Sequence, residues 1–264
     1  MKDRSPGAVD LFEEAVALLR QSDAATLLCY YAGSFPFILC FLYFWADMSA
    51  SGMAGYHLPE ASLGIAFLYI WMKCWQAAFT FRLKSRLFTG ETAPLTRRRA
   101  LRLILLQAGL QPTSLFVMPL AFLMLLPFGW FYAFYHNITI LGDGDDPSLK
   151  NLTRASWKLG GLWPGQNHKL LCFAPIFAIV IFLNVGILLL FIPELLHIFF
   201  GIETMFRMSG FHILNTTFVA VCVGLTYLCL NPLMHTVYVL RCFYGESRQT
   251  GTDLKIQLAT AVYE

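Results

Sequence analysis

The chain has 264 residues, of which 57% are hydrophobic, 16% aromatic and 13% charged, and its formal net charge is +3. A soluble domain carries about 25% charged residues, and at this length about a quarter of the unfolded chain's surface would stay exposed and need polar cover. With a mean hydropathy of +0.59, these values exclude a soluble enzyme, a disordered chain and a secreted disulfide scaffold. They point to an all-α, polytopic integral membrane protein whose first partner is the lipid bilayer.

Residues 9–20 place Phe12, Ala15, Val16 and Leu19 on one face at helical spacing. This segment is too short to span, and its Asp10, Glu13 and Glu14 exclude a signal peptide, so it reads as an interfacial elbow before a retained first span. That span covers residues 25–45, kinked or opened at Pro36. A stretch holding Gly52, Gly55 and Pro59 follows, then a second span over 61–81 that ends in Arg82, Lys84 and Arg86. Residues 100–141 begin behind Arg97, Arg98, Arg99 and Arg102, and make either one long crossing or a two-crossing hairpin turned at Pro127-Phe128-Gly129. A second elbow carries Leu149, Leu152, Ala155 and Leu159, with Asp146-Pro147 as its cap and first position. A span over 170–190, a loop over 191–210 and a last span over 211–240 complete the chain.

Charge counting selects the hairpin. With six spans, 17 of the 19 Lys and Arg lie on the cytoplasmic side together with both termini. With five, the Lys and Arg beyond residue 150, Arg207 aside, would fall outside.

An internal repeat is also visible. Arg86-Leu87-Phe88-Thr89-Gly90-Glu91 and Arg241-Cys242-Phe243-Tyr244-Gly245-Glu246 share the pattern R-x-F-x-G-E. Leu27-Leu28-Cys29-Tyr30 and Leu170-Leu171-Cys172-Phe173 open the spans before them, each followed by a proline, Pro36 or Pro175. The chain therefore divides into repeat 1 (9–91), a central hairpin (95–146), repeat 2 (148–246) and a short tail (247–264). Equivalent ends on one side require an even number of crossings between them.

The order elbow, hairpin, hairpin, elbow, hairpin resembles a loose group of bacterial six-span membrane proteins that includes the membrane domain of some glycerophosphodiester phosphodiesterases. The matching stretch is Leu126-Pro127-Phe128-Gly129 through Tyr132, His136 and Leu149 to Trp157, with Phe128 inserted between the group's Pro and Gly. The resemblance implies a fold and a bacterial inner-membrane location, and no activity, since the phosphodiesterase catalytic domain has no counterpart here.

Lys73, near the middle of the second span, is the most informative polar residue. A central lysine costs about 2.5–3.5 kcal/mol on insertion scales, so it faces protein or water and marks either a site for an anionic lipid or substrate or a snorkelling structural cation. His235, Gln76, Asn184, Asn215 and Asn231 are the other polar in-span groups, read as interhelical hydrogen-bonding residues, with His235 beside Lys73 as a lipid- or ligand-binding candidate. In the paired ends, Arg86, Phe88, Glu91, Arg241, Phe243 and Glu246 form either a docking site for a membrane or cytoplasmic partner or a helix stop with glycine as its C-cap.

No stacking basic stripe suggests nucleic acid, and the seven cysteines read as packing residues. The six histidines are scattered, and Asp143, Asp145 and Asp146 lack the glutamate of a calcium loop, so no metal, cofactor or catalysis is expected. The expected function is a non-catalytic scaffold or accessory subunit of a membrane complex. The alternative is a transporter or lipid-handling protein built around Lys73. Nothing in the sequence fixes an oligomeric state.

Overall fold

The structure is a computed structural model that describes residues 6–89, 96–124, 128–142, 148–202 and 215–251. Glu91 of the first motif, Pro127, the acidic stretch with Asp146-Pro147, and Arg207 lie outside these residues. Among the described residues the ordered elements are eight helices and no strand: α1 (Ala8–Gln21), α2 (Ala24–Ala50), α3 (Ala54–Thr89), α4 (Arg97–Leu123), α5 (Phe128–Leu141), α6 (Leu149–Gly160), α7 (Pro164–Phe200) and α8 (Thr216–Thr250). Four stretches are long and apolar enough to cross a membrane: α2, α4, α7 and the part of α8 over Thr216–Arg248. Their outward faces carry large apolar side chains such as Phe116, Leu183, Phe199 and Val223, all exposed, which suits lipid rather than water. The chain is a membrane protein.

The two short amphipathic helices fall where periodicity places them. In α1, Leu11, Phe12 and Ala15 are buried against α7 and α8, with Phe12 on Phe173 and Phe177. The Asp10 carboxylate accepts from Gly7 N–H at 3.0 Å and starts the helix. The cap of α6 is Ser148, whose hydroxyl accepts from Asn151 N–H, so the helix starts at Leu149, two residues beyond the expected first position, Pro147.

Several ends of the long helices run further than expected. α3 starts at Ala54 and takes Pro59 within it, α7 continues to Phe200, and α8 passes through Gly245 to Thr250. Pro and Gly are tolerated in such helices because neighbours re-satisfy the freed backbone groups. Gly245 is therefore not a C-cap. It permits close approach, since a Cβ there would fall 2.7 Å from Leu159 Cδ2 on α6.

The central segment does fold back on itself. Phe122 meets Phe128, Gln111 bonds Thr139, and Gly142 returns beside Leu106. Its second arm, α5, has 14 residues, about 21 Å at 1.5 Å per residue, which is less than the roughly 30 Å core that a full crossing needs.

α2 and α3 pack antiparallel along their length, with Gly33 against Trp75. A Cβ at Gly33 would collide with Trp75 Cβ and fall 3.2 Å from Met72 O. Gly33→Ala is expected to destabilise by about 1–3 kcal/mol, as overpacking does. Gly64→Ala, with nothing within 4 Å, is expected to be neutral or to stabilise by up to about 1 kcal/mol. Thermal unfolding in detergent separates the two.

Candidate functional site: a polar chamber joined to an apolar cavity at Lys73

Where α2, α3 and α8 diverge away from the Arg-rich ends, they leave an apolar cavity of about 830 Å³. Phe37, Phe41 and Trp45 line it from α2, Tyr69 and Met72 from α3, and Val219 and Val223 from α8. Beside it lies a polar chamber of about 200 Å³ among α3, α4, α5 and α8. Gln111, Tyr132, His136, Asn231 and His235 line the chamber. Lys73 and Tyr227 line both, and so stand at the boundary between them.

Lys73 is only half-buried, and its ammonium lies 5.6 Å from the centre of the Tyr69 ring, one turn back on the same helix. It forms no ion pair among the described residues. A positive charge in an apolar region with only an aromatic face for company is a poor structural device, because pairing or hydrogen bonding is what offsets its desolvation.

The sequence singles out His235 as a second candidate and misses its companion. His136 on α5 brings its ring within 4.9 Å of His235 and 4.7 Å of Tyr238, and stacks on Tyr132 at 4.4 Å. Nε2 of His136 and both ring nitrogens of His235 are buried and unpartnered among the described residues. Buried polar atoms are ordinarily paired, so three orphans in one chamber are a feature to be explained. The signal open to sequence reasoning was Tyr132 and His136, one turn apart on a mostly apolar helix.

The remaining polar groups of the expected spans divide. Gln76 donates to Ser34 Oγ at 3.3 Å and to Tyr227 Oη at 3.0 Å, and Asn231 donates to Tyr30 Oη at 3.0 Å, so both join helices as expected. Among the described residues Asn184 bonds only its own helix, at Val180 O, and Asn215 caps α8 by accepting from Phe218 N–H.

No family model, curated protein or solved structure matches the chain. The functional reading therefore stands on this geometry. Among the described residues, no three His, Cys, Asp or Glu side chains gather where a metal ion could be held.

The paired R-x-F-x-G-E ends meet each other. Phe88 packs edge-on against Phe243 at 5.1 Å, and Lys84 bridges to Glu246 at 3.4 Å. Arg241 is 3% exposed and Phe243 8% exposed, so both are spent on packing and do not present a docking face. Arg86 and Phe88 are half-buried, as is Glu246. The Arg241 guanidinium donates to Leu162 O, to Gln166 Oε1 at 3.2 Å and to Gly160 O at 3.5 Å, closing the end of α6 onto α8.

Next to this end, Tyr244 O–H donates to the Glu14 carboxylate at 2.9 Å. Burial of Glu14 raises its pKa above the ordinary value, and the tyrosine bond only partly offsets this. The folded state thus binds the Glu14 proton more tightly than the unfolded state does. Its contribution to stability is fully present below the ordinary glutamate range and is lost as pH rises from there through the raised folded value. Glu14→Gln is expected to flatten that decline in unfolding temperature measured against pH.

Proposed function

We propose that the chain is a non-catalytic multi-pass membrane protein that binds an amphiphile from the bilayer. The tail lies in the apolar cavity and the polar head beside Lys73. One observation carries this reading: a half-buried lysine without an ionic partner joins an apolar cavity to a chamber with unpartnered imidazole nitrogens. A cavity of about 830 Å³ lies within the range of about 300–1,000 Å³ usual for small-molecule sites. The alternative, a scaffold or accessory subunit docking a partner through the R-x-F-x-G-E ends, has less support because Arg241 and Phe243 pack inward.

The proposed arrangement is two repeats around a central hairpin in a bacterial inner membrane, with both termini cytoplasmic. The repeat is supported by the shared order of short helix, long helix, long helix in α1–α3 and α6–α8. An arginine near the end of each last helix is held at the corner after the short helix, Arg82 to Asp23 at 3.6 Å and Arg241 to Leu162, with Arg82 one turn before the Arg86 that the motif pairs with Arg241. The even crossing count is supported by Gly142, which returns to the level of Leu106, beside a cavity lined by Lys84, Arg102 and Glu246. Cytoplasm-only reporters fused after residues 145 and 250 should both be active, and silence at both would refute this sidedness.

The function itself is tested by extracting the purified protein and identifying bound amphiphile by mass spectrometry. A stoichiometric amphiphile in the wild type, lost in Lys73→Met, is the expected result. Its absence from wild type, with a stoichiometric protein partner in its place, would favour the scaffold.

A further inference from the structure

Resting on the amphiphile reading above, we propose that the head received beside Lys73 is an acidic group that still carries an O–H proton. A phosphate monoester is the smallest such head. The inference comes from the hydrogen-bonding capacity left open in the chamber. His136 Nδ1 lies 3.0 Å from Tyr132 O. A carbonyl only accepts, so Nδ1 carries the proton and Nε2 of the neutral ring is left as an acceptor. That Nε2 is buried and unpartnered among the described residues, and His235 adds two more unpartnered nitrogens, one acceptor and one donor in a neutral ring. Lys73 supplies a positive charge and three donors, and no acceptor.

The chamber is therefore complementary to a molecule that brings negative charge to Lys73 and a proton to His136. A cation is repelled by the ammonium. A carboxylate or a phosphodiester satisfies the charge but offers no proton to the imidazole. An alcohol offers the proton without the charge. A phosphate monoester monoanion supplies both, and its alkyl chain fits the apolar cavity that opens from the same lysine.

The test uses the full chain in nanodiscs of phosphatidylcholine at about pH 5.5, below the second phosphate ionisation near 6. Dodecyl phosphate, its methyl ester, dodecyltrimethylammonium and inorganic phosphate are titrated by calorimetry. Dodecyl phosphate is expected to bind about tenfold more tightly than its methyl ester, the size of one buried hydrogen bond. That gap is expected to close in His136→Phe, while Lys73→Met weakens both esters alike. The wild-type comparison decides the matter even if a variant fails to fold. Equal binding of the two esters overturns the O–H requirement and leaves the amphiphile reading standing. Inorganic phosphate binding as tightly as dodecyl phosphate replaces the lipid head with a free-anion site and overturns the proposal. Failure of every amphiphile to bind overturns both readings.

Discussion

Lys73→Met is expected to raise the unfolding temperature of the delipidated protein while removing its ability to hold an amphiphile. With α3 (Ala54–Thr89) taken as a crossing helix, as the proposed six-span arrangement requires, a lysine at its centre costs about 2.5–3.5 kcal/mol, and a face-on contact such as that with Tyr69 returns about 0.5–2 kcal/mol. Methionine keeps the length of the side chain and removes the charge, so the net gain is about 1–2 kcal/mol, or roughly 3–6 °C for a chain of this size. The measurement must use delipidated protein, because bound ligand stabilises wild type by mass action and would mask the gain. A stability gained where binding is lost is the mark of a residue kept for function. If Lys73→Met instead lowers the unfolding temperature and leaves amphiphile binding intact, the lysine is a snorkelling structural cation.

The second large effect is expected at Arg241, with the opposite sign. Its guanidinium reaches the carbonyl of Gly160 at the end of α6, where the helix dipole favours a cation, and that of Leu162 in the corner beyond it, and it also holds Gln166 at the start of α7. Between these two helices stands Trp163 at φ 52°, a left-handed backbone conformation that a bulky side chain adopts only under constraint. Arg241→Ala removes the constraint and leaves buried carbonyls unpaired, for a loss of about 1–3 kcal/mol for each acceptor left unsatisfied. Arg241→Lys restores the charge without the planar fork and should recover only part of it. Thermal unfolding of the two variants measures this directly. An Arg241→Ala protein as stable as wild type would show that the α6–α7 corner holds itself.

The elbows and the apolar helices were legible because each follows from one local signal. Helical periodicity set Phe12 and Ala15 on a buried face, and long apolar runs located the four crossing-length helices, although α3, where the second span was expected over 61–81, is not one of the four. The helix ends were less legible. Pro59 and Gly245 read as breaks by local propensity, but packing overrides propensity within a bundle, and only the approach of Leu159 explains why position 245 is glycine. The shortness of α5 was hidden for a similar reason, since an apolar run reports burial and not whether the burying medium is lipid or protein. Half of the site was legible: Lys73 and His235 stand out as polar groups in apolar segments. His136 did not, because its role depends on the meeting of α5 and α8, which no local pattern encodes.

The most direct test of an amphiphile seated at Lys73 is photolabelling with a dodecyl phosphate that carries a diazirine in its tail, followed by peptide mapping. Labels are expected on α2 between Phe37 and Trp45 and on α8 between Val219 and Tyr227, the walls of the apolar cavity. They should be displaced by unlabelled dodecyl phosphate and lost in Lys73→Met. Labelling of the lipid-facing surface of α7, around Leu183 and Leu188, should be neither displaced nor lost. Labels spread evenly over all lipid-facing helices, unaffected by competitor and by Lys73→Met, would contradict an amphiphile site at Lys73.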